Sequence, residues 1–204
     1  MKKLVIVLLL ITAVGVSAQK GITGWSITGV RSIKNPLSSL SVFENNERSN
    51  FGYGAETFFS IANSKGVLRG AELKYSTYGI TPVAPNVSEG VTIVDLLYTI
   101  GFRRQLSEAL YITFTGKIGI DCFFNGYSIN SGDAEHIWRW GIALDSDIKL
   151  SVKLFDDTFA YLKGGGMVDG ALLNSNVSVP APFTENTNRA AMSLYLVLGC
   201  EYSF

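Results

Sequence analysis

His136 is the only histidine among the 204 residues, so catalysis that needs an imidazole near neutral pH has a single place to occur. A serine hydrolase would need a serine within reach of that base and an acid to orient it. No serine lies two residues along from His136 with an acid to match, and His136 shares its phase with Trp138 on an apolar face. Asp133, Glu135 and His136 together suggest a metal, but no ligand spacing repeats elsewhere, and such a group reads better as a solvated loop. Asp145 and Asp147 lie on one face of a strand, yet paired carboxylates need a cleft before they can do acid–base work. These residues therefore predict neither an enzyme, nor a cofactor, nor a metal site.

A second set of charges is more regular. Glu56, Glu72, Lys74, Asp95, Lys117, Arg139, Asp145, Lys149 and Glu201 fall in mid-segment, each on the polar side of a stretch whose alternate residues are apolar. A period of two is that of a β-strand with two unlike faces. The clearest cases are Leu110, Ile112, Phe114, Ile118 and Ile120 opposed to Thr113, Thr115, Lys117, Gly119 and Asp121, and the long run from Trp138 to Leu154. The closing segment does the same, with Met192, Leu194, Leu196, Leu198, Cys200, Tyr202 and Phe204 opposed to Ser193, Tyr195, Val197, Gly199 and Glu201.

The elements that must position these charges are eight strands, at roughly 20–31, 51–62, 67–78, 91–103, 109–122, 136–154, 158–170 and 189–204. The first alternates weakly, and Gly164-Gly165-Gly166 blurs the seventh. The connections alternate in length. Loops at 32–50, 79–90, 123–135 and 171–188 are separated by tight turns, of which Asn63-Ser64-Lys65-Gly66 is a hairpin signal. Long loops on one rim and tight turns on the other are what an up-and-down barrel gives when both termini share the tight-turn rim.

The N-terminus points to the compartment. Lys2-Lys3, the apolar run Leu4 to Val16 and the small residues Ser17-Ala18 read as a signal peptide, 1–18, cleaved to leave a single domain, 19–204. The remaining chain carries 15 basic and 17 acidic residues, a net charge of −2, with no basic run to suggest nucleic acid. No later apolar run reaches the length of a spanning helix. Cys122 and Cys200 fall at opposite ends of their strands, too far apart to bridge, and read as small apolar residues.

Periodicity alone leaves two barrels open. A soluble carrier of the lipocalin sort has a wet exterior and an apolar cavity; a transmembrane barrel has lipid outside and polar groups inside. Three features favour lipid. The strands are long enough to cross at a tilt. Phe51, Tyr53, Tyr75, Tyr111, Trp138, Trp140, Phe159, Tyr161, Tyr202 and Phe204 cluster near strand ends as in aromatic girdles, and the apolar face runs to the last residue. The fold class predicted is thus an all-β, eight-stranded antiparallel up-and-down transmembrane barrel with short periplasmic turns and longer extracellular loops. The interior of such a barrel is just filled by side chains, Phe58, Leu97 and Tyr195 among them.

With Phe204 last, Tyr202 two before it and alternate apolar residues upstream, the chain resembles the small eight-stranded outer-membrane barrels of the OmpA/OmpX kind, and most of all the PorT-like barrel proteins of the Bacteroidota. The resemblance covers nearly all of 19–204. It implies that Tyr202 and Phe204 form the signal read by the outer-membrane assembly machinery, and that the protein is a monomer in Gram-negative outer-membrane lipid with periplasmic termini. It also implies a structural, envelope-interaction or surface-binding role, with a narrow porin-like channel or a soluble lipocalin-like carrier as alternatives. An extracellular ligand would meet the four long loops, where Phe123, Phe124, Tyr127 and Phe183 offer apolar groups.

Overall fold

The computed structural model describes residues 20–34, 51–80, 87–129, 135–174 and 190–204. They form eight strands: β1 (Lys20–Lys34), β2 (Phe51–Ala62), β3 (Val67–Ile80), β4 (Val87–Ser107), β5 (Leu110–Ile129), β6 (Glu135–Phe155), β7 (Thr158–Asn174) and β8 (Ala190–Ser203). Each pairs antiparallel with its sequence neighbours, and β1 pairs with β8 to close the barrel. Closure leaves no open edge. The seam runs from Ile22 opposite Ser203 to Lys34 opposite Met192, and is extended by Gly21 and Phe204, which exchange backbone hydrogen bonds of 2.8 and 2.9 Å. Among the described residues no helix is long and apolar enough to cross a membrane.

The tight turns are built from local chemistry. The Asn63 side-chain oxygen accepts from the backbone N–H groups of Lys65 and Val67, both at 3.0 Å, while Gly66 takes φ +81°, a conformation that disfavours any side chain. Between β6 and β7 the turn is only Asp156-Asp157, with Asp156 at φ +36°, a region aspartate tolerates better than most residues.

Alternation sorts the side chains. Trp25, Ile27, Leu73, Leu96, Ile118, Leu144, Leu196 and Leu198 point outward and are exposed, the last two at 60 %. The intervening residues point inward and are buried, charges included. The seventh strand, blurred in sequence, keeps its phase through the glycines. Gly165 faces inward directly beneath the Tyr195 ring, where a Cβ would lie 2.7 Å from Cζ; Gly164 and Gly166 face outward. Gly24 and Gly199 make the same close approaches possible for Phe58 and Tyr161.

Three expectations are corrected. The loops are shorter than their composition suggested, because the strands run on through residues 32–34, 79–80, 87–90, 123–129, 135 and 171–174. Ladder hydrogen bonds hold the backbone extended even where glycine, serine and asparagine dilute the alternation. As a result β4, β5 and β6, at 21, 20 and 21 residues, are the longest strands, and Phe123, Phe124 and Tyr127 belong to β5. Phe123 is buried in the interior and Phe124 is exposed on the outer face. Finally, Phe159 and Tyr161 are not girdle residues: both point inward, at 5 % and 2 % exposure. The signal peptide expected at 1–18, Asp133, Phe183 and the remaining loop residues lie outside the described residues.

Candidate functional site

Among the described residues, buried polar chemistry is concentrated in the interior. Glu56, Glu72, Lys74, Asp95, Lys117, Arg139, Asp145, Lys149 and Glu201 are all buried there, and Asp121, Asp147, Lys163 and Asp169 join them.

On the half towards the tight turns these charges interlock. Lys117 reaches Asp147 at 2.5 Å, Glu72 at 2.9 Å and Asp145 at 3.7 Å. Lys163 pairs with Glu56 and lies 3.4 Å from Glu72 and 3.8 Å from Asp147. Lys74 pairs with Asp145 at 3.4 Å and rests 3.5 Å above the centre of the Tyr195 ring, whose hydroxyl donates to Asp145. Nearest the rim, Glu201 is held by Lys149 at 2.5 Å and Arg103 at 2.7 Å, and Lys149 also stacks 4.3 Å over Phe58. Five carboxylates thus meet five cations, so the net charge of this half cancels. That matters because an unpaired charge in a poorly solvated interior costs several kcal/mol.

A cavity of about 20 Å³ remains beside Glu72, Thr113, Lys117, Asp147 and Lys163, room for about one water molecule. Chemically, this arrangement holds charges of both signs in fixed positions.

On the outer surface Tyr202 and Phe204 stack with ring centres 6.1 Å apart, and Phe204 also meets Phe59 at 6.3 Å. The Phe204 ring covers Gly21 across the seam. These two residues therefore fasten the closing strand to β1 and β2 besides ending the chain. His136 lies in β6 opposite Gly126, and Glu135 opposite Tyr127. Among the described residues no group of three His, Cys, Asp or Glu converges on a metal position. Cys122 and Cys200 are both free thiols.

Sequence reasoning missed Lys163 and Asp169 because both flank the glycine run that hid the phase of β7. Alternation also puts Asp121, Asp147 and Arg103 on the polar face, and from it Asp147, with Asp145, is expected to meet a lysine or arginine of a neighbouring strand, as it does with Lys117. Counting outward from Leu162 and Val168, both exposed, would have put Lys163 and Asp169 inside.

No family model and no curated protein matches the chain. Solved structures do share its fold. Ail, the attachment invasion locus protein of Yersinia pestis, is 12 % identical over 92 % of this chain and 100 % of its own, with a TM-score of 0.53. Neisserial surface protein A is 12 % identical over 93 % of this chain and 99 % of its own, TM-score 0.52. The outer membrane protein OprG from Pseudomonas aeruginosa is 10 % identical over 93 % of this chain and 98 % of its own, TM-score 0.52. At such identities the likeness is one of fold: this chain is a small eight-stranded antiparallel barrel of the kind those outer-membrane proteins have.

Proposed function

We propose that the protein, cleaved after Ala18, is a monomeric outer-membrane barrel with a side-chain-filled interior and periplasmic termini, serving as a structural or surface-binding module rather than a diffusion pore. The observation that carries the reading is the inversion of polarity. Large apolar side chains cover the outside, while the mid-strand charges lie inside and in pairs. A soluble carrier requires the opposite arrangement, since an exposed apolar band of this extent promotes association in water. In lipid the same band is at its most stable.

The four long-loop regions would face outside the cell. Ail is an attachment protein by name and has been crystallised with a heparin analogue; its shared fold supports looking for binding at that rim. The finer kinship, with PorT-like barrels that assist envelope machinery, rests on the closing strand alone. Fractionation tests the main reading: expressed in a Gram-negative host, the protein should sediment with outer membranes and require detergent for release. Recovery in the aqueous phase would overturn it. In planar bilayers the inserted barrel should show no steady conductance; an open-pore current would favour the channel alternative.

A further inference from the structure

The outer face carries little charge. Among the outward strand side chains whose exposure the structure describes, only Arg69 and Arg104 are charged, and both are exposed. They stand on neighbouring strands, β3 and β4, at the tight-turn end. Arg69 is flanked across the sheet by Ile61 of β2 and Ile100 of β4. Val67 and Phe102, paired with each other and also exposed, lie between Arg69 and the rim. Arg69 therefore sits one step inside the apolar band. Arg104 is the next outward residue of β4 after Phe102, opposite Ile112 of β5. Lys65 is exposed in the adjoining turn, which is tied to β4 where the Gly66 carbonyl accepts from the Arg103 N–H at 2.7 Å.

Neither Arg69 nor Arg104 forms an ion pair with a described carboxylate. The acids exposed at this rim, Glu108, Asp156 and Asp157, belong to the β4–β5 and β6–β7 turns. A cation facing hydrocarbon is costly, and its side chain extends to the headgroup layer to find a partner. Arg69 is level with Ile100, four residues from Arg104, a separation of about 13 Å along the strand at about 3.3 Å per residue. Two arginine side chains extended towards each other span that gap and meet on one group. The planar guanidinium matches two phosphate oxygens at once.

The surface on the other side of Arg69 suits an acyl chain. The next outward residue of β3 is Ala71, which is exposed, with Phe59 paired on one side and Tyr98 on the other. A methyl group between two rings leaves a shallow apolar groove leading from Arg69 towards the middle of the band.

We propose that Arg69 and Arg104 hold the phosphate of one anionic phospholipid, with an acyl chain lying over Ala71 between Phe59 and Tyr98. Charge selects the lipid class: two unpaired arginines, with Lys65 beside them, leave a positive site that a zwitterionic headgroup does not neutralise. The site rests on the transmembrane reading and on the tight turns facing the periplasm, where the leaflet of an outer membrane is built of phospholipid.

Bound lipid tests it. The full barrel is purified from outer membranes in mild detergent and its retained lipid identified by native mass spectrometry. One phosphatidylglycerol or cardiolipin per barrel is expected. Arg69→Gln combined with Arg104→Gln should lose it; both side chains lie outside the interior network, and migration on unheated gels checks that the variant is folded. Lys153→Gln, which removes an exposed cation of β6 at the same rim, should keep the lipid. Without any substitution, wild type extracted from mixed phosphatidylcholine and phosphatidylglycerol vesicles should carry phosphatidylglycerol in preference. Equal retention of the two lipids, a wild type free of anionic phospholipid, or a double variant that keeps it would overturn the site and leave the membrane location standing. Lipid A held there instead, and lost in the double variant, would overturn it together with the periplasmic placing of this rim.

Discussion

Replacing Lys117 by methionine keeps most of the side-chain volume and removes one charge from the centre of the interlocked half. Lys117 contacts three carboxylates, but they do not depend on it equally. Asp145 retains Lys74 at 3.4 Å and the Tyr195 hydroxyl. Glu72 retains Lys163 at 3.4 Å. Asp147 loses its 2.5 Å partner and keeps Lys163 only at 3.8 Å, together with the Thr115 hydroxyl at 2.6 Å and, at 3.3 Å, that of Tyr195. Stripping one partner from a buried ion pair costs about 3–5 kcal/mol. The partners Asp147 retains place Lys117→Met at the lower end, about 3 kcal/mol. Because the cost is that of a stranded carboxylate, adding Asp147→Asn should recover most of it, to within about 1 kcal/mol of wild type. Equilibrium urea unfolding in lipid vesicles measures this directly. The three tryptophans, Trp25, Trp138 and Trp140, all face outward and so report on leaving lipid. If Lys117→Met unfolds within 1 kcal/mol of wild type, or the double variant is no more stable than the single, the interior charges are not acting as a closed network.

Further outcomes follow from the outer face and the glycines. Leu196→Arg, in the middle of the outer band, should destabilise the barrel in vesicles by about 2–4 kcal/mol, whereas on a water-facing surface it would be nearly neutral; the same unfolding experiment distinguishes them. Deleting Phe204 should lower the yield of barrel in the outer-membrane fraction more than it lowers the stability of protein refolded in detergent. Equal yields of the two chains would remove the assembly role. Gly165→Val would drive a side chain into the Tyr195 ring and should cost about 1–3 kcal/mol, while Gly164→Val, facing outward, should cost less; urea midpoints of the two variants compare them.

Outside β7, whose phase the glycines hid, the sequence alone determined which way most side chains face. Period two is a local property of the chain, so Glu56, Glu72, Lys117 and Asp145 could be placed on one face, and Leu196 and Leu198 on the other, without knowing any partner strand. Asn63 to Gly66 and the alternating loop lengths likewise carried the strand order, because a hairpin turn depends only on its own residues. Two things were legible only in the folded chain. The upper ends of β4, β5 and β6 are held extended by ladder hydrogen bonds from neighbouring strands, so their composition understated them. The second is which charges meet. Lys163 pairs with Glu56, and Tyr195 with Asp145, across the barrel lumen rather than along a strand, and such pairing is set by the register of all eight strands together. The same register gathers Asp95, Asp121 and Asp169 on one half, a consequence that no single strand contains.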